Sequence, residues 1–182
     1  MRLTHLYRES DMNDIKSLYE EAFPPEEKKP FSLILEKNNA GSMEILALEG
    51  DDGAFLGLAI LILHQDLALL DYLAIAPHRR GGGIGTQALA LLRERYAGKR
   101  FLLEIEDADE AGASNRADRI RRRAFYLRNG LCEMPYRVLL FGVQMRILTD
   151  GSPISFDEYH AIFPAVFSAK AAANVIEVND DH

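Results

Sequence analysis

An α+β fold with a mixed sheet and a C-terminal helical appendage is what this sequence predicts, and three observations lead to it. Residues 43–76 carry three apolar runs, "MEILALE", "AFLGLAILIL" and "LALLDYLAIA", joined by links so short that antiparallel neighbours are favoured. Between 67 and 106 the order becomes strand, helix, strand, which calls for a parallel pair. Beyond "DGSP" the apolar period is helical.

Residues 2–8 read as a first strand. Ser10 offers an N-cap to a helix whose apolar positions are Ile15, Leu18, Tyr19 and Ala22, and Pro24 and Pro25 end it. A second short helix spans 30–39 and closes at "NNAG". Strands follow at 43–49, 54–63 and 67–76, with "GDDG" and "HQD" as turns and Pro77 as a stop. From Ile84 the period is helical, with Ile84, Ala88, Leu91 and Leu92 on one face and Gly98 placed as a C′ residue. A strand at 101–106 and a polar loop at 107–115 precede a helix running to about Arg128. Its inward face is read as Ile120, Ala124 and Leu127, and Gly130 is its C′ residue. Residues 131–148 form two strands divided near Gly142. In the tail, Ser155 and Glu158 make an S-x-x-E capping box, and Phe156, Tyr159, His160, Phe163 and Phe167 lie at helical spacing. Pro164 is expected to kink or split that helix. "EVNDDH" is expected to fray.

The bulk properties restrict the function. A chain of 182 residues, 48% hydrophobic, is of a size for one domain with an appendage. A net charge of −7 argues against nucleic acid and anionic membrane as partners. One cysteine, Cys132, rules out an internal disulfide and suits a reducing compartment. No apolar leader precedes the first strand, and no apolar run approaches the length of a membrane span. A cytoplasmic protein is expected. The five histidines show no metal-ligand spacing, so no metal is expected. Cys132 is read as packed.

The stretch "APHRRGGGIGTQALALL" carries the chemistry. Glycines between a strand and a helix N-terminus leave backbone N–H groups exposed, and the helix dipole adds positive potential. Gly81, Gly82, Gly83, Ile84 and Gly85, with Arg79 and Arg80 ahead, suit a phosphate-bearing ligand. Two readings compete. Gly83, Gly85 and Ala88 satisfy G-x-G-x-x-A, the dinucleotide fingerprint of a nicotinamide enzyme. A meander before the loop and a hairpin after the last helix oppose that reading, because nothing supplies a second mononucleotide half.

Arg80, Gly83 and Gly85 also fit R-x-x-G-x-G. "LAIAP" stands just ahead and "AFYLRNGL" at 124–131 follows downstream. Over residues 2–148, in motifs and in element order, the chain resembles the GCN5-related N-acetyltransferase (GNAT) superfamily. The resemblance implies a mostly antiparallel mixed sheet in which two parallel strands, here 67–76 and 101–106, splay apart around acetyl-CoA. It implies a domain at 1–148 with residues 149–182 as a helical extension packed on it. The backbone at Leu73, Ala74 and Ile75 would hold the pantetheine arm, and Arg79 through Thr86 the pyrophosphate. Tyr126 matches the general acid that protonates the departing thiolate.

Glu104 and Glu106, two apart on one strand and therefore on one face, are the candidate general bases, should that face line the cleft. Asp71 is a weaker candidate. The amine acceptor, a small molecule or a peptide N-terminus, would meet Phe23, Glu26, Glu27 and Phe31 in "FPPEEKKPF". The chain departs from the family at Arg119, where many members carry Asn. That helix also holds Arg116, Arg121, Arg122, Arg123 and Arg128, read mainly as a solvated face paired with Asp107, Asp109, Glu110 and Asp118. A non-catalytic acyl-CoA-binding module is the alternative function. The tail either covers the acceptor site or forms a homodimer interface.

Overall fold

The computed structural model describes residues 1–5 and 9–178. The expected strand residues 6–8 and the terminal residues 179–182 lie outside the described residues. So do the side chains of residues 9–11 and 26, and with them the expected Ser10 cap. The chain divides into two compact units, Met1–Gly98 and Lys99–His182.

The first unit contains β1 (Arg2–His5), α1 (Glu9–Ala22), α2 (Phe31–Asn39), β2 (Met43–Glu49), β3 (Phe55–His64), β4 (Leu67–Ile75) and α3 (Ile84–Arg95). Its four strands pair in sequence order, each antiparallel to the next. β4 has no wet face. Leu73 and Ile75 pack with Ile84 and Ala88 of α3 around Leu48 and Leu56. Tyr72, on the other side, meets Tyr19 of α1 edge-on at 4.9 Å. Burial from both sides is why these strands read as continuous apolar runs rather than alternating ones. The ladder has an irregularity of consequence: Ile60 faces Tyr72 but Leu61 faces Leu70, so Asp71 is the inserted residue of a β-bulge. Gly57 lets β3 approach the end of β4, since a Cβ there would lie 2.3 Å from the Ala74 carbonyl oxygen.

α3 buries Ala88 and Leu92 as expected and adds Leu89. It ends at Arg95 with Tyr96 as its C-cap, so Gly98 is not the C′ residue. Tyr96 fixes that end: its ring is buried and its hydroxyl donates to Glu44 on β2.

The second unit contains β5 (Arg100–Glu106), α4 (Arg116–Arg128), β6 (Cys132–Leu140), β7 (Val143–Thr149), α5 (Phe156–Val166), α6 (Ala169–Ala172) and β8 (Val175–Val178). Its ladder runs β5-β7-β6-β8, antiparallel throughout. Helices beside antiparallel ladders in both units give the α+β class. β4 and β5, the two strands expected to splay, fall one in each unit. Between Glu133 and Arg137 the β6–β7 register slips, and Pro135, which has no N–H to offer a ladder, sits in the slip.

Four expectations are corrected here. Ile120 and Leu127 are 46% and 40% exposed, and Ala124 is exposed as well. The residue that α4 buries is Arg119, drawn inward by carboxylates described below. Cys132 is exposed. Pro164 does not split α5, which runs through it to Val166. The break falls instead at Phe167–Ser168, before α6. Finally, Glu177 and Val178 do not fray: they belong to β8, which pairs Val175–Val178 with Arg137–Leu140. The tail thus adds a strand to the sheet as well as helices.

α5 starts with the expected capping box. The Ser155 hydroxyl accepts from the Glu158 N–H at 3.3 Å, and the Glu158 carboxylate accepts from the Ser155 N–H at 2.9 Å. The Arg100 guanidinium, with the Ser155 N–H and hydroxyl behind it, holds the Glu158 carboxyl down at about 2 instead of 4.5. A depressed acid stabilises the fold above its ordinary value and loses that contribution as pH falls through the depressed one. The α5 helical signal should therefore hold at neutral pH and weaken between about 4.5 and 2. Glu158→Gln, followed by circular dichroism across that range, should flatten this portion of the acid transition.

Candidate functional site

At the C-terminal end of β4, Leu73, Ala74 and Ile75 pair with Ala59, Leu58 and Gly57 of β3. Pro77–Arg79 form one 3-10 turn, and the Arg80 Nε folds back to donate to the Ile75 carbonyl at 3.1 Å. The chain then passes through Gly81 and Gly83, at φ 89° and 75°, a left-handed conformation that a Cβ disfavours. A Cβ at Gly81, Gly82 or Gly83 would meet no atom within 4 Å, so the loop surface is open. Gly83 is the N-cap of α3 and provides no side-chain cap. Gln87 N–H reaches the Gly83 carbonyl at 3.1 Å. The N–H groups of Ile84, Gly85 and Thr86 belong to the first turn, which has no helical acceptor for them. Exposed Arg79 and Arg80 stand beside that turn. Open amide donors, a helix N-terminus and two cations are groups that could hold an anion.

In the same unit, the segment between α1 and α2 is tightly held. Phe31 is buried and Phe23 half-buried, and both pack on Tyr19, at 5.5 and 5.7 Å between ring centroids. Phe23 also meets Tyr72 at 4.8 Å. The Tyr72 hydroxyl donates to the Glu27 carbonyl at 2.8 Å and accepts from the Lys29 N–H at 3.1 Å. Of the four residues expected to meet the acceptor, the two aromatics are thus part of a packed cluster. Glu27 is tied through its backbone. The Glu26 side chain lies outside the described residues. The sequence reading missed Lys29, whose ammonium donates to both oxygens of Asp71 at 2.8 and 2.9 Å. Nothing in the local sequence signals the bulge that brings them together.

In the second unit, Glu104 and Glu106 project from β5 toward different partners. The Tyr159 hydroxyl of α5 donates to Glu104 Oε1 at 2.5 Å. Glu106 is only 6% exposed and is held by Arg119 at 2.8 Å, by Arg122 at 3.1 Å and by the Asn115 amide. Arg119 also donates to the Asp107 carbonyl at 2.9 Å, to Asn115 Oδ1 at 2.7 Å and to Glu110 at 2.5 Å. This one guanidinium ties the end of β5, the following loop and the first turn of α4. Asp107, 1% exposed, is faced by Arg146 at 3.1 Å and Arg137 at 3.5 Å. On the outer side of α4, Arg121 pairs with Asp118 and Arg123 with Glu133. Arg119, Arg121, Arg122 and Arg123 thus engage acids, of which Glu110 and Asp118 were expected and Glu106 and Glu133 were not; Arg116 donates instead to the Ala108 carbonyl, and Arg128 lies over the Phe125 ring.

Tyr126 lies on the last turns of α4, half-buried, with its ring edge-on to Phe125 at 5.1 Å. Burial pushes its phenol up to about 12 against the pull of Arg122, so it carries its proton at neutral pH. The helix stops immediately beyond it. Gly130, at φ 81°, is C′. Gly130 N–H bonds the Leu127 carbonyl and Leu131 N–H bonds the Tyr126 carbonyl, the two bonds of a Schellman motif. Leu131 is buried, anchoring that end of the helix. Among the described residues no cluster of histidine, cysteine and acidic groups could hold a metal ion, and no helix is long and apolar enough to cross a membrane.

The model of the Acetyltransferase (GNAT) family matches residues 12–130, and the chain belongs to that family. Its fold recurs in solved structures. A protein assigned to the GNAT family as an acetyltransferase, from Bacteroides thetaiotaomicron, superposes with a TM-score of 0.74 at 21% identity, covering 94% of this chain and 99% of that one. A GNAT-family protein of Desulfovibrio desulfuricans gives a TM-score of 0.63 at 20% identity, over 81% of this chain and 96% of that one. Spermidine N-acetyltransferase from Vibrio cholerae, in complex with CoA and spermine, gives 0.61 at 15% identity, over 81% and 92%. At these identities the likeness is one of fold. No curated protein matches the sequence. The dinucleotide reading of Gly83, Gly85 and Ala88 is set aside, since the strands before this loop form an antiparallel meander within an acetyltransferase family fold.

Arg119 gives a direct test of how the second unit is held. Replacing it with Met leaves buried Glu106 with only Arg122 and the Asn115 amide, and urea denaturation should show a loss of about 1.5–3 kcal/mol. Arg121→Met, removing an exposed pair on the same helix, should change stability by less than about 1 kcal/mol.

Proposed function

We propose that this protein is an acetyl-CoA-dependent N-acetyltransferase acting on a primary amine of a small molecule or peptide by direct attack in a ternary complex. The observation that carries the proposal is the open, amide-lined turn at Gly81–Thr86 at the head of α3, in a chain of the acetyltransferase family. In this reading the domain spans 1–148, and residues 149–182 extend it. The pyrophosphate of acetyl-CoA is taken by Gly81, Gly82, Gly83, Ile84, Gly85 and Thr86, with Arg79 and Arg80 supplying charge. The β4 backbone at Leu73–Ile75 holds the pantetheine arm and offers an N–H to the thioester oxygen as negative charge develops on it.

The neutral amine attacks the thioester carbon, a C–N bond forms, and the C–S bond breaks. The amine's proton leaves to a carboxylate, directly or through water, and the thiolate takes a proton from Tyr126. A phenol held at about 12 retains that proton until it is needed. Of the two candidate bases, Glu104 is the better placed. It is half-buried, whereas Glu106 is almost wholly buried and committed to Arg119 and Arg122. The acidic balance of the chain suits a cationic acceptor, and the spermidine acetyltransferase among the fold neighbours acts on one.

Calorimetric titration with acetyl-CoA should show binding in the micromolar range, and a folded protein that ignores hundreds of micromolar would sink the proposal. Tyr126→Phe should lower kcat by about 100-fold or more while leaving acetyl-CoA affinity unchanged. Equal turnover would remove Tyr126 from the reaction. Retained acetyl-CoA binding without transfer to any amine in a broad panel would instead identify an acyl-CoA-binding module.

A further inference from the structure

The bulge in β4 carries a second polar feature, apart from the phosphate loop. Strict alternation would aim Asp71 with Leu73 toward α3. As the inserted residue it turns instead to the side of Tyr72, with its side chain only 5% exposed. Lys29 Nζ donates to both carboxylate oxygens, at 2.8 and 2.9 Å, and lies 5.2 Å from the centre of the Tyr72 ring. A carboxylate and an aromatic face converging on one ammonium is how proteins hold organic cations.

The main chain at Lys29 is pinned, because its carbonyl accepts from Tyr19 at 2.8 Å and its N–H donates to Tyr72 at 3.1 Å. Its ammonium is held by Asp71 and the Tyr72 ring. It rides on a flexible four-carbon stem, and the side chain is 26% exposed. A carboxylate this deeply buried is strongly disfavoured without a cation beside it. Exchanging one ammonium for another keeps it paired, whereas a neutral ligand in the same place would not.

We infer that Asp71 and Tyr72 form an ammonium subsite for an acceptor with two amino groups, and that Lys29 is the resident cation which the acceptor's non-reacting ammonium displaces. The subsite rests on the N-acetyltransferase reading for its purpose, since the reacting amine must be neutral and a separate charged nitrogen must be what the carboxylate recognises. Lys29 then acts as an internal competitor. It keeps Asp71 paired between turnovers and sets the concentration at which a diamine gains entry.

The test is calorimetric titration with 1,4-diaminobutane, with uncharged 1,4-butanediol as control. Lys29→Met should bind the diamine roughly 10-fold more tightly than the wild type, and the diamine should raise its melting temperature more. Lys29→Gln serves as a second variant should the methionine change impair folding. Lys29→Met combined with Asp71→Asn should lose roughly 10-fold or more of the gained affinity, since a hydrogen-bonded charge is worth about that much. In turnover assays Lys29→Met should lower the KM for the diamine and leave that for acetyl-CoA unchanged. Unchanged or weaker diamine binding in both Lys29 variants, or equal binding with and without Asp71, would overturn the inference. Neither titration needs acetyl-CoA, so a failure of the transferase reading would show separately, as absent acetyl-CoA binding.

Discussion

β4 is a strand with no wet face, and much of the first unit's candidate chemistry follows from that constraint. α1 covers one side through Tyr19 and Tyr72, and α3 the other through Leu73, Ile75 and Ala88. A strand covered on both faces cannot present side chains to a ligand by ordinary alternation. It can offer its backbone, its end, or a residue displaced from the pleat. All three are found: the Leu73–Ile75 backbone, the Arg79–Thr86 loop with its open amides, and Asp71 on the bulge. Gly57 belongs to the same solution, because it lets the neighbouring strand lie close where that backbone has to be held firmly.

The second unit solves a different problem, which is how to bury acids. Glu106 and Asp107 are adjacent, both nearly inaccessible, and both answered by guanidinium groups from separate elements. Arginine suits this work, since its planar fork bonds several acceptors at once and it does not lose its charge. Arg119 uses the fork on carboxylates, a carbonyl and an amide oxygen. The polarity of α4 is thereby inverted relative to a simple amphipathic helix: an arginine is inside, and Ile120 and Leu127 are outside. Tyr126 sits on this helix, so its position depends on the ion pairs at one end and on the Schellman stop at the other.

Features set by short-range rules were legible in the sequence. The strands at 43–49, 67–75 and 101–106, the hairpin at Gly142, the capping box at Ser155 and the C′ role of Gly130 all follow from a few adjacent residues. Features set by tertiary partners were not. Periodicity put Ile120 and Leu127 inward because it counts apolar residues and cannot weigh a charge network assembled from distant acids. The Asp71 bulge depends on register against β3, and β8 depends on a ladder with β6, some 35 residues earlier in the chain. The glycine turn ahead of α3 could be located from its glycines and arginines, whereas the Lys29–Asp71 pair, separated by 42 residues, could not.

The strand contributed by the tail has a bearing on how the protein behaves in company. An uncovered strand edge is a row of unmet donors and acceptors, and it invites pairing with another chain. β6 has nine residues and would present such an edge beyond Arg137 if β8 were absent. β8 takes up that edge and leaves in its place a border of only four residues, one of them the charged Glu177. A short, charged border recruits further strands poorly. On this physical ground the last strand shields the β6 backbone from pairing with another chain, a consequence separate from the chemistry.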